Sequence, residues 1–326
     1  MRLVYIIVFI MILILWVFVL HYIERKFNIN FHQLRNPELY QYKLLDQPIR
    51  RDVDHYTQIG YGLARERKIV ITGLCRDIET NISKNIFISQ CIAKYFKEYK
   101  IVLYENDSKD NTRNIIKEMA KIDPNIILIE CDVKDCIMNS VYLHEIGSLS
   151  KERIHKMAGL RNKYLSFIKE NLADYDYMMV VDFDIQGSTN INGIMNTIGR
   201  EIATPWGGVC TMGIHPMPGT FGNINYPYDV LALIIHKSQL NYSGRFNIAT
   251  NTVYQYIYNN YYTDLIPVHS AFGGMAIYNM NSIKDIWYNS DYVCEHIGFN
   301  LQIKNVYINP HWKTYIGLAA GPPNKI

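Results

Sequence analysis

From Leu3 to Ile23 the chain runs without a formal charge, interrupted only by His21 and two tyrosines. About 20 apolar residues at 1.5 Å each cross the hydrocarbon core of a bilayer. No small-x-small cleavage site follows Leu20, so the pattern predicts an uncleaved transmembrane signal-anchor over 1–23. Residues 24–66 are polar, contain Pro37 and Pro48 and hold no sustained period, which predicts a stem. From Lys68 the pattern changes. The runs Lys68–Leu74, Lys100–Tyr104, Ile126–Glu130 and Tyr177–Val181 are short, apolar and β-branched, as buried strands are. Between them, Ile82, Ile86, Ala93 and Phe96 fall near helical spacing, a second helix is expected over about 110–122, and 150–172 places Ile154, Ala158, Leu165 and Ile168 on one side. Alternation of this kind predicts an α/β domain over 67–326, with a mixed, mostly parallel sheet flanked by helices. Shorter runs at Gly273–Tyr278 and Lys304–Ile308 read as later strands.

Composition narrows the function. A chain of 326 residues, 49% hydrophobic and 19% charged, has ample material for a core and is neither disordered nor fibrous. A net charge of +3 lacks the basic excess of a nucleic-acid binder, so no nucleic-acid partner is expected. Cysteines at 75, 91, 131, 136, 210 and 294 form no CxxC pair, and mostly free or buried thiols are expected. Beyond the apolar stretch, Arg25, Lys26 and Arg35 outweigh Arg2, which favours a cytoplasmic C-terminal domain. Sequons stand at Asn81, Asn106 and Asn241.

The chemistry concentrates where strands end. Val180-Val181 runs straight into Asp182-Phe183-Asp184. Ligands of open α/β sheets bind at the carboxyl ends of strands. Two acids there repel unless a cation sits between them, and oxygen ligands suit Mg²⁺ or Mn²⁺. The alternative is that the two acids only end a strand and cap a turn. Tyr104 to Thr112 (YENDSKDNT) follows the second strand. Its acids and amides can reach a base or ribose, or simply cap the next helix. Arg76, in Gly73-Leu74-Cys75-Arg76-Asp77, can meet a phosphate or a neighbouring carboxylate. Arg161-Asn162 lies in the long helix, Phe272-Gly273-Gly274-Met275-Ala276 brings backbone close to something, and Glu295-His296 and His311 offer a base or metal ligands. GxxxxGK[ST], HExxH, GxSxG and GxGxxG after the first strand are all missing.

In this order, GLCRD, ENDSKDNT, MAGLRN, VDFD, FGGMAIY and CEH resemble the GT-A glycosyltransferases, closest to the fungal-type mannosyltransferase group that includes capsule-associated and Golgi mannan enzymes. The resemblance spans about 68–310. Asp182-Phe183-Asp184 matches the family's DxD, Glu105 to Thr112 its nucleotide loop, and Ala158 with Arg161-Asn162 its A-x-x-R-N helix. Trp206 to Cys210 and Tyr226 to Asp229 look like the acceptor side. The resemblance implies a Rossmann-like GT-A fold and transfer of a hexose from GDP-mannose or a UDP-sugar to a glycan or glycoprotein hydroxyl. Asp182 and Asp184 would hold Mn²⁺ or Mg²⁺, with His296 or His311 completing the shell. Glu105 and Asp107 would touch base or ribose, Arg76 and Arg161 the phosphates, with Asn162 beside them. Glu295 would act as base if the reaction inverts, and Asp184 would belong to the catalytic set. Asn106 stands where many relatives carry an acid. A single anchor and stem fit membrane-bound members of the class, whose usual luminal topology opposes the charge rule. Two other functions compete: a nucleotidyltransferase acting on a sugar phosphate, and a non-catalytic, membrane-tethered carbohydrate-binding protein of the same fold.

Overall fold

The computed structural model describes residues 51–131, 150–219, 222–237 and 264–317. The expected span at 1–23 and the stem as far as residue 50 lie outside these; among the described residues no helix is long and apolar enough to cross a membrane.

The four expected strands are present as β1 (Lys68–Cys75), β2 (Glu98–Glu105), β3 (Ile126–Glu130) and β4 (Tyr177–Val181). Helices α2 (Glu79–Ala93), α3 (Thr112–Ile122) and α4 (Lys151–Asn171) alternate with them. The Ser150 hydroxyl caps α4 by accepting from the Arg153 amide at 3.1 Å. Strands β3, β2, β1 and β4 lie side by side, all parallel. Beyond β4 the sheet turns antiparallel at β8 (Met275–Asn279), then continues through β5 (Gly208–Gly219), β9 (Val306–Tyr315) and a three-residue edge, β7 (Ile266–Val268). β5 is antiparallel to β8 and parallel to β9, β7 is antiparallel to β9, and β6 (Gly222–Pro227) pairs antiparallel with β5 off the main path.

Side chains alternate between two apolar layers, as a sheet covered on both faces requires. Val70, Val102, Met178 and Val180 pack against α4 and the short α6 (Glu295–Asn300). Ile69, Ile71, Ile101, Leu103 and Met179 pack against α2, α3 and α5 (Ile191–Arg200). Cys75, Cys91, Cys210 and Cys294 are free thiols, as expected, whereas Cys131 is disulfide-bonded.

The region expected to close the stem is structured. Residues Arg51–Ala64 form a helix, α1, that crosses α5. The crossing depends on two missing side chains. A Cβ on Gly60 would lie 1.8 Å from the Met195 carbonyl oxygen, and one on Gly199 would lie 1.8 Å from that of Tyr56. Around the contact, the Tyr61 hydroxyl donates to Asn192 Oδ1 at 2.8 Å and the Arg200 guanidinium lies 4.3 Å from the Tyr56 ring centroid. Gly199→Ala must push the two backbones apart. An overpacking cost of about 1–3 kcal/mol corresponds to a melting temperature lower by roughly 2–12 °C, readable by calorimetry; a melting temperature equal to wild type would show that the close crossing contributes nothing.

Candidate functional site

From β1 the chain winds outward through β2 and β3, and β4 returns on the other side of β1. That change of direction opens a crevice at the carboxyl ends of β1 and β4, the place where doubly wound sheets bind ligands. Asp182 follows β4, Arg76 follows β1 and Asn106 follows β2. The Asn106 amide donates to the Cys75 carbonyl at 3.0 Å, which keeps the two strand ends in register.

Residues 182–186 continue the alternation of β4. Phe183 and Ile185 are buried in the core, while Asp184 is exposed and Asp182 half-buried. The Asp182 amide donates to the Gly274 carbonyl at 3.0 Å. Gly273 and Gly274, at φ 68° and 90°, occupy the left-handed region that a glycine enters without strain. A Cβ on Gly273 would lie 2.3 Å from the Thr211 carbonyl oxygen. The FGGMA turn therefore brings backbone up against both the first acid and β5.

A buried cation stands among the acids. Arg161, on α4, is 4% exposed. Its Nε donates to Glu295 Oε1 at 2.9 Å and its Nη2 lies 3.7 Å from Asp182 Oδ1. Phe272 and Tyr288 flank the guanidinium, with ring centroids 5.6 and 5.7 Å away. Burial alone would raise the Glu295 carboxyl, but the Arg161 charge and hydrogen bond, helped by His296, bring it down to about 2. Asp182 moves the other way, to about 7. Burial is the main cause and the Asp184 charge the next, while Arg161 and a 3.4 Å hydrogen bond from the Tyr228 hydroxyl only partly offset them. Asp229 joins the group from a left-handed backbone (φ 56°), its carboxyl raised by burial and then by the charges of Asp182 and Glu295. Four carboxylates thus face one buried guanidinium. Among the described residues no three His, Cys, Asp or Glu side chains are arranged to hold a metal ion alone. The donor set is nonetheless all oxygen. A hard divalent ion that draws on one or two carboxylates and on phosphate oxygens fits it.

Several expected residues have other work. Glu105 is fully buried. One of its oxygens accepts from the Ser108 amide and the other from Arg113 Nε at 2.7 Å, so it holds the loop after β2. Asp107 is exposed at φ 55°, and Arg113 comes no nearer than 4.0 Å. Asn162 donates to the Tyr288 carbonyl and accepts from the Tyr288 amide, both at 2.9 Å. Both its polar ends tie α4 to the segment before α6. His311 is carried by β9 to the start of α5, where Asn190 Nδ2 donates to its carbonyl oxygen at 2.9 Å. His296 is buried beside Glu295 and stacked on Phe272 with centroids 3.8 Å apart, and burial lowers its pKa well below the usual range. Cys75 is fully buried, in keeping with a packing role.

Arg76, expected at a phosphate, and Asn106 each leave a polar atom open on the neighbouring ends of β1 and β2. Arg76 Nη1 and Asn106 Oδ1 are both buried, and neither has a hydrogen-bond partner among the described residues. Arg76 Nε approaches Asp77 only to 3.5 Å. A buried donor and a buried acceptor left open side by side are costly unless a ligand completes them.

No protein-family model and no curated protein matches the sequence. Among solved structures, S. aureus TarS 1-349 in complex with UDP gives a TM-score of 0.43 at 14% identity, over 77% of this chain and 61% of that one. The complex with UDP-GlcNAc gives 0.43 at 14% identity, over 76% and 58%. This chain therefore spans about three fifths of the TarS fragment, and a likeness of that size carries no argument about fold or activity.

Proposed function

We propose that the chain is a glycosyltransferase of the GT-A type. It moves a hexose from a nucleotide-sugar, GDP-mannose or a UDP-sugar, to a hydroxyl of a glycan or glycoprotein, and it is held on a membrane through residues 1–23. The observation that carries this reading is the excess of carboxylates over Arg161 at the carboxyl end of β4, in the crevice beside β1. Such a site is complementary to a divalent cation and, through it, to a diphosphate. Asp182 and Asp184 would hold Mn²⁺ or Mg²⁺, whose chemistry when bound is to stabilise negative charge on the departing nucleoside diphosphate.

The chain's own residues supply the rest. Arg161 holds Asp182 and Glu295 in fixed places and limits the repulsion around the pair. Arg76 and Asn106 offer a donor and an acceptor to the base end of the nucleotide, in place of the occupied Glu105. Glu295, ionised and hydrogen-bonded to Arg161, orients that guanidinium. A carboxylate held near 2 is a weak base toward a hydroxyl. Asp229, which faces Asp182 on the side expected for the acceptor, is the better-placed group to take the acceptor's proton if the reaction inverts.

The test needs no acceptor. Full-length protein is incubated with GDP- and UDP-sugars and Mn²⁺, and released nucleoside diphosphate is measured. One donor is expected to hydrolyse slowly, with the activity lost on chelation and restored by Mn²⁺. Release of pyrophosphate from nucleoside triphosphates would replace this reading with nucleotidyl transfer. The absence of binding or turnover with every donor would leave the non-catalytic alternative standing.

A further inference from the structure

Strand β4 ends at Val181, so the carbonyls of residues 183–186 have no neighbouring strand to accept from. Their donors come from one side of α2. Asn85, which is 4% exposed, donates through Nδ2 to both the Phe183 carbonyl (2.7 Å) and the Ile185 carbonyl (2.8 Å). Asn81 Nδ2 donates to the Asp184 carbonyl at 3.3 Å, and the Lys84 ammonium donates to the Gln186 carbonyl. Four consecutive carbonyls are thus held by three side chains within five residues of α2. On the amide side, Gln186 donates to the Ile316 carbonyl at 3.0 Å and Ile185 to the Asp182 carbonyl at 3.3 Å.

We propose that Asn85, supported by Asn81 and Lys84, is the positioning element of the acid pair: it fixes the backbone of 183–186 so that Asp184 leaves the chain toward the crevice, at a set spacing from Asp182. The proposal rests on the reading of Asp182 and Asp184 as the cation-holding pair. Its logic is that of outer residues that orient the ligands of a metal. An ionised carboxylate on a loose turn would move away from its neighbour, because like charges repel. With the carbonyl side pinned to a helix and Phe183 and Ile185 sunk into the core, the turn cannot swing. An asparagine suits the central position because its amide carries two donors, one for each carbonyl that flanks Asp184.

The experiment uses the full-length chain as wild type, Asn85→Ala, the more exposed double variant Asn81→Ala/Lys84→Met, and Asp184→Ala as reference. Two quantities are read: amide hydrogen exchange in peptides over 182–187, with β1 and β4 as internal controls, and the affinity for Mn²⁺ alone by electron paramagnetic resonance. The expected result is faster exchange confined to 182–187 and Mn²⁺ binding weakened about tenfold or more in Asn85→Ala, and less in the double variant, while kcat falls more than KM changes for the hydrolysed donor. Exchange that stays unchanged, or that rises equally in β1 and β4, overturns the proposal; so does a locally loosened turn with wild-type Mn²⁺ affinity. Should wild type and Asp184→Ala both fail to bind Mn²⁺, the cation-holding reading falls and the proposal falls with it, an outcome distinct from the other two. The double variant keeps the test open if Asn85→Ala does not fold.

Discussion

Asp184→Asn is expected to lower metal-dependent donor turnover by about a thousandfold. A bound metal supplies several kcal/mol of stabilisation to the leaving group, and each 1.36 kcal/mol is about tenfold in rate. The fold should survive, because Asp184 is exposed and its carbonyl, not its carboxylate, is what α2 holds. Asp182→Asn should lose activity to a similar degree but with a melting temperature above that of wild type. Burial and the Asp184 charge push the Asp182 carboxyl up to about 7, so at neutral pH its ionised form is paid for in stability. Activity is measured as nucleoside diphosphate released with saturating Mn²⁺, and stability by calorimetry without metal. An Asp184→Asn enzyme that keeps a tenth or more of wild-type turnover would remove the pair from the mechanism.

Arg161→Met is expected to be the most destabilising single change in the site. It leaves the Glu295 carboxylate, 5% exposed, without its 2.9 Å partner. Breaking a buried pair from one side costs about 3–5 kcal/mol, or roughly 6–20 °C of melting temperature. Arg161→Met/Glu295→Leu should recover most of that loss, because an apolar pair replaces the ions together. Activity should not return, since Asp182 has lost its counter-ion in both variants. Equal melting temperatures for the single and double variants would mean that Glu295 is not held by Arg161 in solution.

The parallel strands were legible because each is a short β-branched run buried on both faces and bounded by polar residues. The place of Asp182 and Asp184 at the end of β4 was legible because the apolar run Tyr177–Val181 stops there. α1 was not: Val53, Tyr56, Ile59 and Leu63 fall near helical spacing, but charged and polar residues surround them and the contact with α5 is made through Gly60, which carries no apolar signal. α5 carried a helical pattern that the sequence reading passed over: Ile191, Ile194, Met195 and Ile198 stand on one side and Asn192, Asn196 and Arg200 on the other, and the structure buries part of that polar side as well. In the site, Glu295 could be seen as a carboxylate beside a histidine. Nothing local, however, pointed to its partner 134 positions earlier, Arg161, whose Nε donates to it at 2.9 Å. Glu105 and Asn162 looked available because their side chains suit nucleotide recognition, and only the packed structure shows Glu105 bonded to Arg113 and Asn162 to the Tyr288 backbone. Asn85 gave no signal, since an asparagine within a helix carries no mark of the carbonyls it meets a hundred residues later.

The three-residue β7 bears on how copies of this domain meet. Among the described residues it forms the outer edge of the sheet beyond β9, and its middle residue, Pro267, is exposed and has no amide hydrogen to donate. Three residues with a proline at the centre make a poor template for strand addition: the ladder is short, and one of its amide donors is missing.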